Sequence, residues 1–222
     1  MDVEKAFSHP SWASEAATPL QPMMEVWMNI VALLAAALMA ASTTTVSSAN
    51  EFGPRTELET LSGIYASSAP EPWYGGYGTR KFTFENGRWS LVFTHALDPE
   101  MRTRTFVFRT EGPYRVGAES RVVPGAFDAV FFEDIKRVTL LAGDPKIVEA
   151  FGFTNCRLVL NVEVDVSAAG CAGWKPVSVC REDHDLLAIS AAGLFFGVRP
   201  RDNDMCTPEK RPTALLTPVI RQ

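Results

Sequence analysis

The residues with the clearest chemical potential are His95 and Asp98, which stand at the end of a strand whose other positions on that face are apolar. Asn86-Gly87 suits a two-residue type I′ turn, because both central residues of that turn need positive φ. A turn there pairs Phe84 with Trp89 and Phe82 with Leu91, and alternation puts Phe82, Phe84, Trp89, Leu91 and Phe93 on one face. His95 extends that face, and Asp98 follows three residues later. A carboxylate so placed can orient an imidazole as a general base or a ligand contact. A histidine satisfied at a barrel rim has the same sequence signature.

Other polar clusters carry weaker signals. Arg181-Glu182-Asp183-His184-Asp185 could attract a cation, but no second histidine is near and no EF-hand glycine pattern surrounds it, so it reads as a solvated turn. Asp202 and Asp204 read the same way. Cys156, Cys171, Cys180 and Cys206 show neither a C-x-x-C pair nor zinc spacing. They read as structural disulfides, for which three connectivities are open. The favoured one joins Cys171 to Cys180 as a local loop and Cys156 to Cys206 as a long closure. Nucleophile-elbow, zincin and phosphate-loop motifs are missing, so hydrolysis and phosphoryl transfer have no support. Gly75-Gly76-Tyr77-Gly78 precedes a strand, not a helix, and is no dinucleotide fingerprint. No cofactor and no metal is expected.

The elements that must position these residues are short strands. Leu61–Ala66 alternates like a first strand, and Ser67–Gly78 is a Pro/Gly loop carrying Trp73, Tyr74 and Tyr77, which either cap a cavity or pack over a barrel end. Thr103–Thr110 brings Phe106 and Phe108 to one face. Strands follow over Pro113–Ser120, Phe127–Phe132, Ile135–Leu141 and Arg157–Val166, then Val177–Cys180, Leu186–Ser190 and Leu194–Val198. Asp144 as cap, Pro145 at the first position and the stripe Ile147, Val148, Phe151 predict one short helix. The whole is an all-β chain, an antiparallel β-barrel of about 8–10 strands, lipocalin-like, with a disulfide-pinned C-terminal region. Such a barrel is wide enough to be filled by side chains or to hold one small ligand. Periodicity fits an aromatic-lined cavity and a solid aromatic core equally.

Ile30–Ala41 is a charge-free apolar run of signal-peptide length, too short to span a bilayer comfortably, and Ser47-Ser48-Ala49 offers a cleavage site. Lys5 is the only basic residue ahead of it. The chain divides into a targeting segment, residues 1–49, and a single barrel domain, residues 50–222, in a secreted or extracytoplasmic location. The net charge of −5 with no basic cluster argues against nucleic-acid binding.

Leu61-Ser62-Gly63-Ile64-Tyr65-Ala66-Ser67, Thr79–Phe84, Phe93–Asp98, Cys171 and Trp174 before Cys180, Gly193–Gly197 and Arg211-Pro212-Thr213 with Pro218 occur in an order that resembles the extracellular domain of the adenomatosis polyposis coli down-regulated family. That family places a cysteine after the first strand, where this chain has Ser67-Ser68-Ala69. The resemblance implies a secreted barrel that binds a lipid, though not the signalling role of the two-domain animal proteins. The expected function is therefore binding of a lipid or other hydrophobic small molecule by Phe82, Phe84, Trp89, Leu91, Phe93, Phe106, Phe108, Trp73 and Tyr77. Peripheral membrane contact is compatible with that reading. The alternatives are a cofactor-free isomerase or cyclase using His95 and Asp98, and a structural barrel without a cavity.

Overall fold

The computed structural model describes residues 53–222; the expected targeting segment, residues 1–49, lies outside the described residues. Asn86 and Gly87 have φ of 51° and 72°, so the expected type I′ turn joins β3 (Gly76–Glu85) to β4 (Arg88–Ala96). Phe84 faces Trp89 and Phe82 faces Leu91 in that register. The remaining strands are β1 (Gly63–Ser67), β2 (Glu71–Trp73), β5 (Arg104–Glu119), β6 (Phe127–Phe132), β7 (Ile135–Leu140), β8 (Glu163–Asp165), β9 (Glu182–Ser190), β10 (Gly193–Phe196) and β11 (Val219–Arg221). Strand β3 meets β1, which leads through β11, β10, β9, β6 and β5 to β4, and β4 returns to β3. Eight antiparallel strands thus close a barrel, which removes the exposed edges an open sheet would present.

Strand β5 is long because it serves two partners. Its first half pairs with β7 and its second half with β6. The switch falls at Gly112-Pro113, where the chain turns the corner Glu133-Asp134 between β6 and β7. A Cβ on Gly112 would lie 1.9 Å from the Phe132 carbonyl oxygen, which also accepts the Trp89 indole N–H at 3.1 Å. Backbone cannot yield as a flexible side chain can. Gly112→Ala is therefore expected to cost about 3 kcal/mol, at the upper end of overpacking penalties. Urea denaturation checks this: a midpoint within error of the parent would mean that the corner relaxes freely.

One end of the barrel is plugged. Helix α1 (Pro54–Glu59) drops Leu58 onto Leu61, Tyr65, Phe84, Trp89 and Val116, all buried. The Tyr114 hydroxyl ties the plug down, donating to Leu58 O at 2.9 Å and accepting from Leu61 N at 3.1 Å. With one buried apolar residue, this helix has no apolar stripe that would mark it in the sequence. The expected helix is present as α2 (Pro145–Ala150), with Asp144 accepting from Lys146 N. A second core, built on Phe93, Phe106, Phe108, Val138, Leu140, Phe153 and Trp174, packs this region against β5 and β7.

Three expectations are corrected. The disulfides are Cys156–Cys171 and Cys180–Cys206, not Cys171–Cys180 and Cys156–Cys206. Met205 O in the tail accepts from His184 N of β9 at 2.8 Å, which brings Cys206 beside Cys180 with Cα atoms 5.2 Å apart. Cys171 is left for Cys156. Of Arg157–Val166 only β8 is strand, because Arg157 and Asn161 take left-handed φ of 54° and 60° and expose Val159, Leu160 and Val162. Val177–Cys180 is a turn, not a strand. No helix among the described residues is long and apolar enough to cross a membrane.

Candidate functional site

Strand alternation carries charge as well as aromatics into the barrel. On β3, Gly78, Arg80, Phe82 and Phe84 are the buried set, while Lys81, Thr83 and Glu85 face outward. On β9, Asp183 and Asp185 point to the same side as Leu187, which lies in the plugged core. These inward groups border a cavity of about 60 Å³, with Trp73, Phe82, Trp89, Leu91, Phe93 and Phe108 as apolar wall and Arg80, Glu133, Asp183, Asp185 and Arg199 as polar wall. Trp73, Tyr74, Arg199 and Leu216 separate it from an outer well of about 560 Å³. Tyr74, Trp174 and Asn203 separate it from a second well of about 380 Å³, lined also by Phe106 and Phe151.

The mouth between these spaces is held by a small polar latch. Tyr74 Oη donates to Asn203 Oδ1 at 3.2 Å, and Arg199 Nε donates to the same oxygen at 2.6 Å. Tyr74 and Asn203 both have left-handed backbones, φ 48° and 56°. That conformation is uncommon for an aromatic residue, and the packing around the ring must compensate for it. Burial raises the Tyr74 phenol above its ordinary range, so it stays a donor at neutral pH.

Buried charges survive here by pairing. Arg199 grips Asp183 through both terminal nitrogens, at 2.7 and 3.2 Å. Burial works against the guanidinium charge, but the Asp183 carboxylate more than restores it and holds the Arg199 pKa above its ordinary value. Lys136, 1% exposed, donates to Glu133 Oε2 at 2.8 Å, Cys180 O at 2.8 Å and Lys175 O at 3.0 Å. Burial and the nearby Asp183 raise the Glu133 pKa, against the pull of Lys136. Among the described residues no cation pairs directly with Asp185, although Arg199 nearby favours its charged form. Its Oδ1 accepts from Leu186 N at 2.7 Å and Gly197 N at 2.8 Å, while burial and Asp183 push its pKa to about 7. Gly197 must be glycine for this contact, since a Cβ there would sit 2.5 Å from that oxygen.

The sequence-derived residues divide. Trp73, Phe82, Trp89, Leu91, Phe93 and Phe108 line the cavity; Phe84 belongs to the plug, Phe106 lines the second well, and Tyr77 lines none of these spaces. His95 is fully buried and stacks on Phe106 with centroids 5.2 Å apart. Since a carbonyl can only accept, His95 Nε2 donates to Trp73 O at 3.0 Å and Nδ1 accepts from the Thr105 hydroxyl at 2.6 Å. Burial lowers its pKa, only partly offset by the Trp73 bond, so the neutral ring is favoured. Asp98 is not its partner: it accepts from Arg102 N and Thr103 N in the following turn, which pulls its pKa down to about 2.

Arg80, Glu133, Asp183, Asp185 and Arg199 were not among the expected site residues. The signal for Arg80 was present, two positions before Phe82 on the same face. For Asp183 and Asp185 it was the continuity with Leu187. His184, on the opposite face, lies between Glu182 and Arg211. Taken together, fold and site define a closed eight-stranded antiparallel barrel with a mixed aromatic and ionic interior. No family model matches this chain, and no curated protein matches it.

Proposed function

We propose that this protein is an extracytoplasmic carrier or receptor of a hydrophobic small molecule, a lipid among them, held in the barrel interior and its mouth. The observation that carries this reading is the cavity walled by aromatic rings inside a closed barrel, adjoining an outer well of about 560 Å³. Ligand sites are typically concave and mostly apolar, with a few placed polar groups. The two disulfides fit an oxidising compartment, which agrees with the apolar leader-like segment. The resemblance to the adenomatosis polyposis coli down-regulated family supports the same reading.

Native mass spectrometry followed by organic extraction tests it, together with titration of the neutral apolar dye N-phenylnaphthylamine. Leu216 borders both the cavity and the well, so Leu216→Trp is expected to weaken dye binding about tenfold, about 1.4 kcal/mol, while leaving the thermal midpoint nearly unchanged. A protein that extracts clean and ignores the dye has no such site.

A cofactor-free isomerase or cyclase in the same cavity is the second reading. Asp185 favours it, as a buried carboxyl titrating near 7 beside apolar walls is suited to general acid–base work.

A further inference from the structure

Among the described residues, every buried cation of the barrel interior has its nitrogens hydrogen-bonded except one. Lys136 spends its ammonium on Glu133 and two carbonyls, and Arg199 spends its guanidinium on Asp183 and Asn203. Arg80 is 4% exposed, and its Nη2 donates to Glu71 Oε1 at 2.9 Å and Thr217 O at 2.7 Å. Among the described residues its Nε and Nη1 find no acceptor, and Thr110 Oγ1 is the other buried side-chain atom in that condition. The Trp73 ring, with the Arg80 Cζ 5.9 Å from its centroid, offsets some of the charge but offers no lone pair. Burying a donor without an acceptor is costly, more so when the group is charged.

Through Nη2, Arg80 links the two spaces. Arg80 lines the inner cavity, whereas its acceptors Glu71 and Thr217 line the outer well. About 60 Å³ is enough for a small polar head but not for a lipid chain, whereas the well is large enough for an alkyl tail and presents Pro72, Trp73, Val198 and Leu216 to it.

We infer that the ligand is an amphiphile bearing a single carboxylate, whose head accepts the free N–H groups of Arg80 while its chain passes Trp73 and Leu216 into the outer well. This deepens the binding role proposed above and rests on it. One negative charge suits the site better than two. Arg80 is already paired with Glu71 and Arg199 with Asp183, so among the described residues lining the cavity no further cation would balance the second charge of a dianion such as a phosphate monoester. An aliphatic acid therefore fits, and its ester or alcohol, which brings no charge to Arg80, fits less well.

The test uses decanoate, methyl decanoate and decyl phosphate as probes, titrated calorimetrically into the parent protein, Arg80→Gln and Arg80→Lys. The parent is expected to bind decanoate at least tenfold more tightly than methyl decanoate. Arg80→Gln should lose that preference while keeping its affinity for the ester within about twofold, and Arg80→Lys should retain part of it. Equal affinity of the parent for acid and ester overturns the role of Arg80 and leaves the apolar site standing. No binding of any probe, with no dye binding either, overturns both. Decyl phosphate binding more tightly than decanoate overturns the carboxylate in favour of a phosphate head. The parent's preference among the three probes decides the matter even if the Arg80 variants do not fold.

Discussion

Lys136→Met is expected to lower the unfolding free energy by about 3–5 kcal/mol, the usual cost of removing one partner from a buried ion pair. Methionine matches the length of the lysine stem but supplies no donor. Glu133 would be left buried without its cation, and the carbonyls of Lys175 and Cys180 would lose a bond each. Against a typical total of about 5–15 kcal/mol, that loss takes about a fifth of the stability at the least. Glu133 has an escape, since its pKa is already raised by burial and Asp183, and proton uptake removes the stranded charge. The deficit should therefore be smaller at pH 5 than at pH 8. Adding Glu133→Gln should recover part of it, because the two positions are directly coupled. Urea denaturation of the single and double variants at both pH values makes the measurement. A single variant within about 1 kcal/mol of the parent at pH 8 would show that the pair contributes no more than an apolar contact.

Asp185→Asn is expected to gain stability relative to the parent as the pH rises. The Asp185 carboxyl has a folded-state pKa of about 7 against an ordinary 3.8, so the native state holds this proton more tightly than the unfolded chain does. Its stabilising contribution is complete below pH 4 and is lost progressively as the pH rises through 7. About three pH units at 1.36 kcal/mol each give roughly 4 kcal/mol, reached above pH 7. Asparagine keeps an oxygen for the N–H groups of Leu186 and Gly197 and has no charge to bury. Glu133 titrates in the same direction, but it is present in both proteins, so the difference between them isolates Asp185. Unfolding free energies of parent and variant from pH 4 to pH 8 should diverge; parallel curves would place the Asp185 proton in the ordinary carboxylate range. If the protein also turns over a substrate, the same variant separates a catalytic acid from a structural one, since only the former would abolish the reaction while stability rises.

Some of this protein is encoded by near neighbours in the chain. Asn86-Gly87 alone determines the hairpin register, because few dipeptides accept positive φ twice. Alternation along β3 and β4 assigns Phe82, Trp89, Leu91 and Phe93 to one side, and Asp144-Pro145 sets the start of α2. Those features carry the all-β class and most of the apolar wall of the cavity. Helix α1 escapes such reading, since Leu58 is buried by what lies beneath it and not by any pattern in the helix.

What lies inside the barrel was decided by closure. Asp183 and Asp185 look like a solvated turn until β9 pairs with β6 and β10, and Arg80 looks like a surface arginine until the ring is complete. The cysteines have chemically equivalent side chains, and only the return of Met205 to His184 selects Cys180 for Cys206. His95 shows the same division from the other side: its place on the inward face is local information, whereas the Thr105 and Trp73 atoms that occupy both ring nitrogens come from separate strands. Backbone propensity and period-two alternation act over a few residues, and so the sequence by itself determines strands, turns and faces. Burial, charge pairing and disulfide partnership depend on segments far apart in the chain, and these the tertiary structure alone decides.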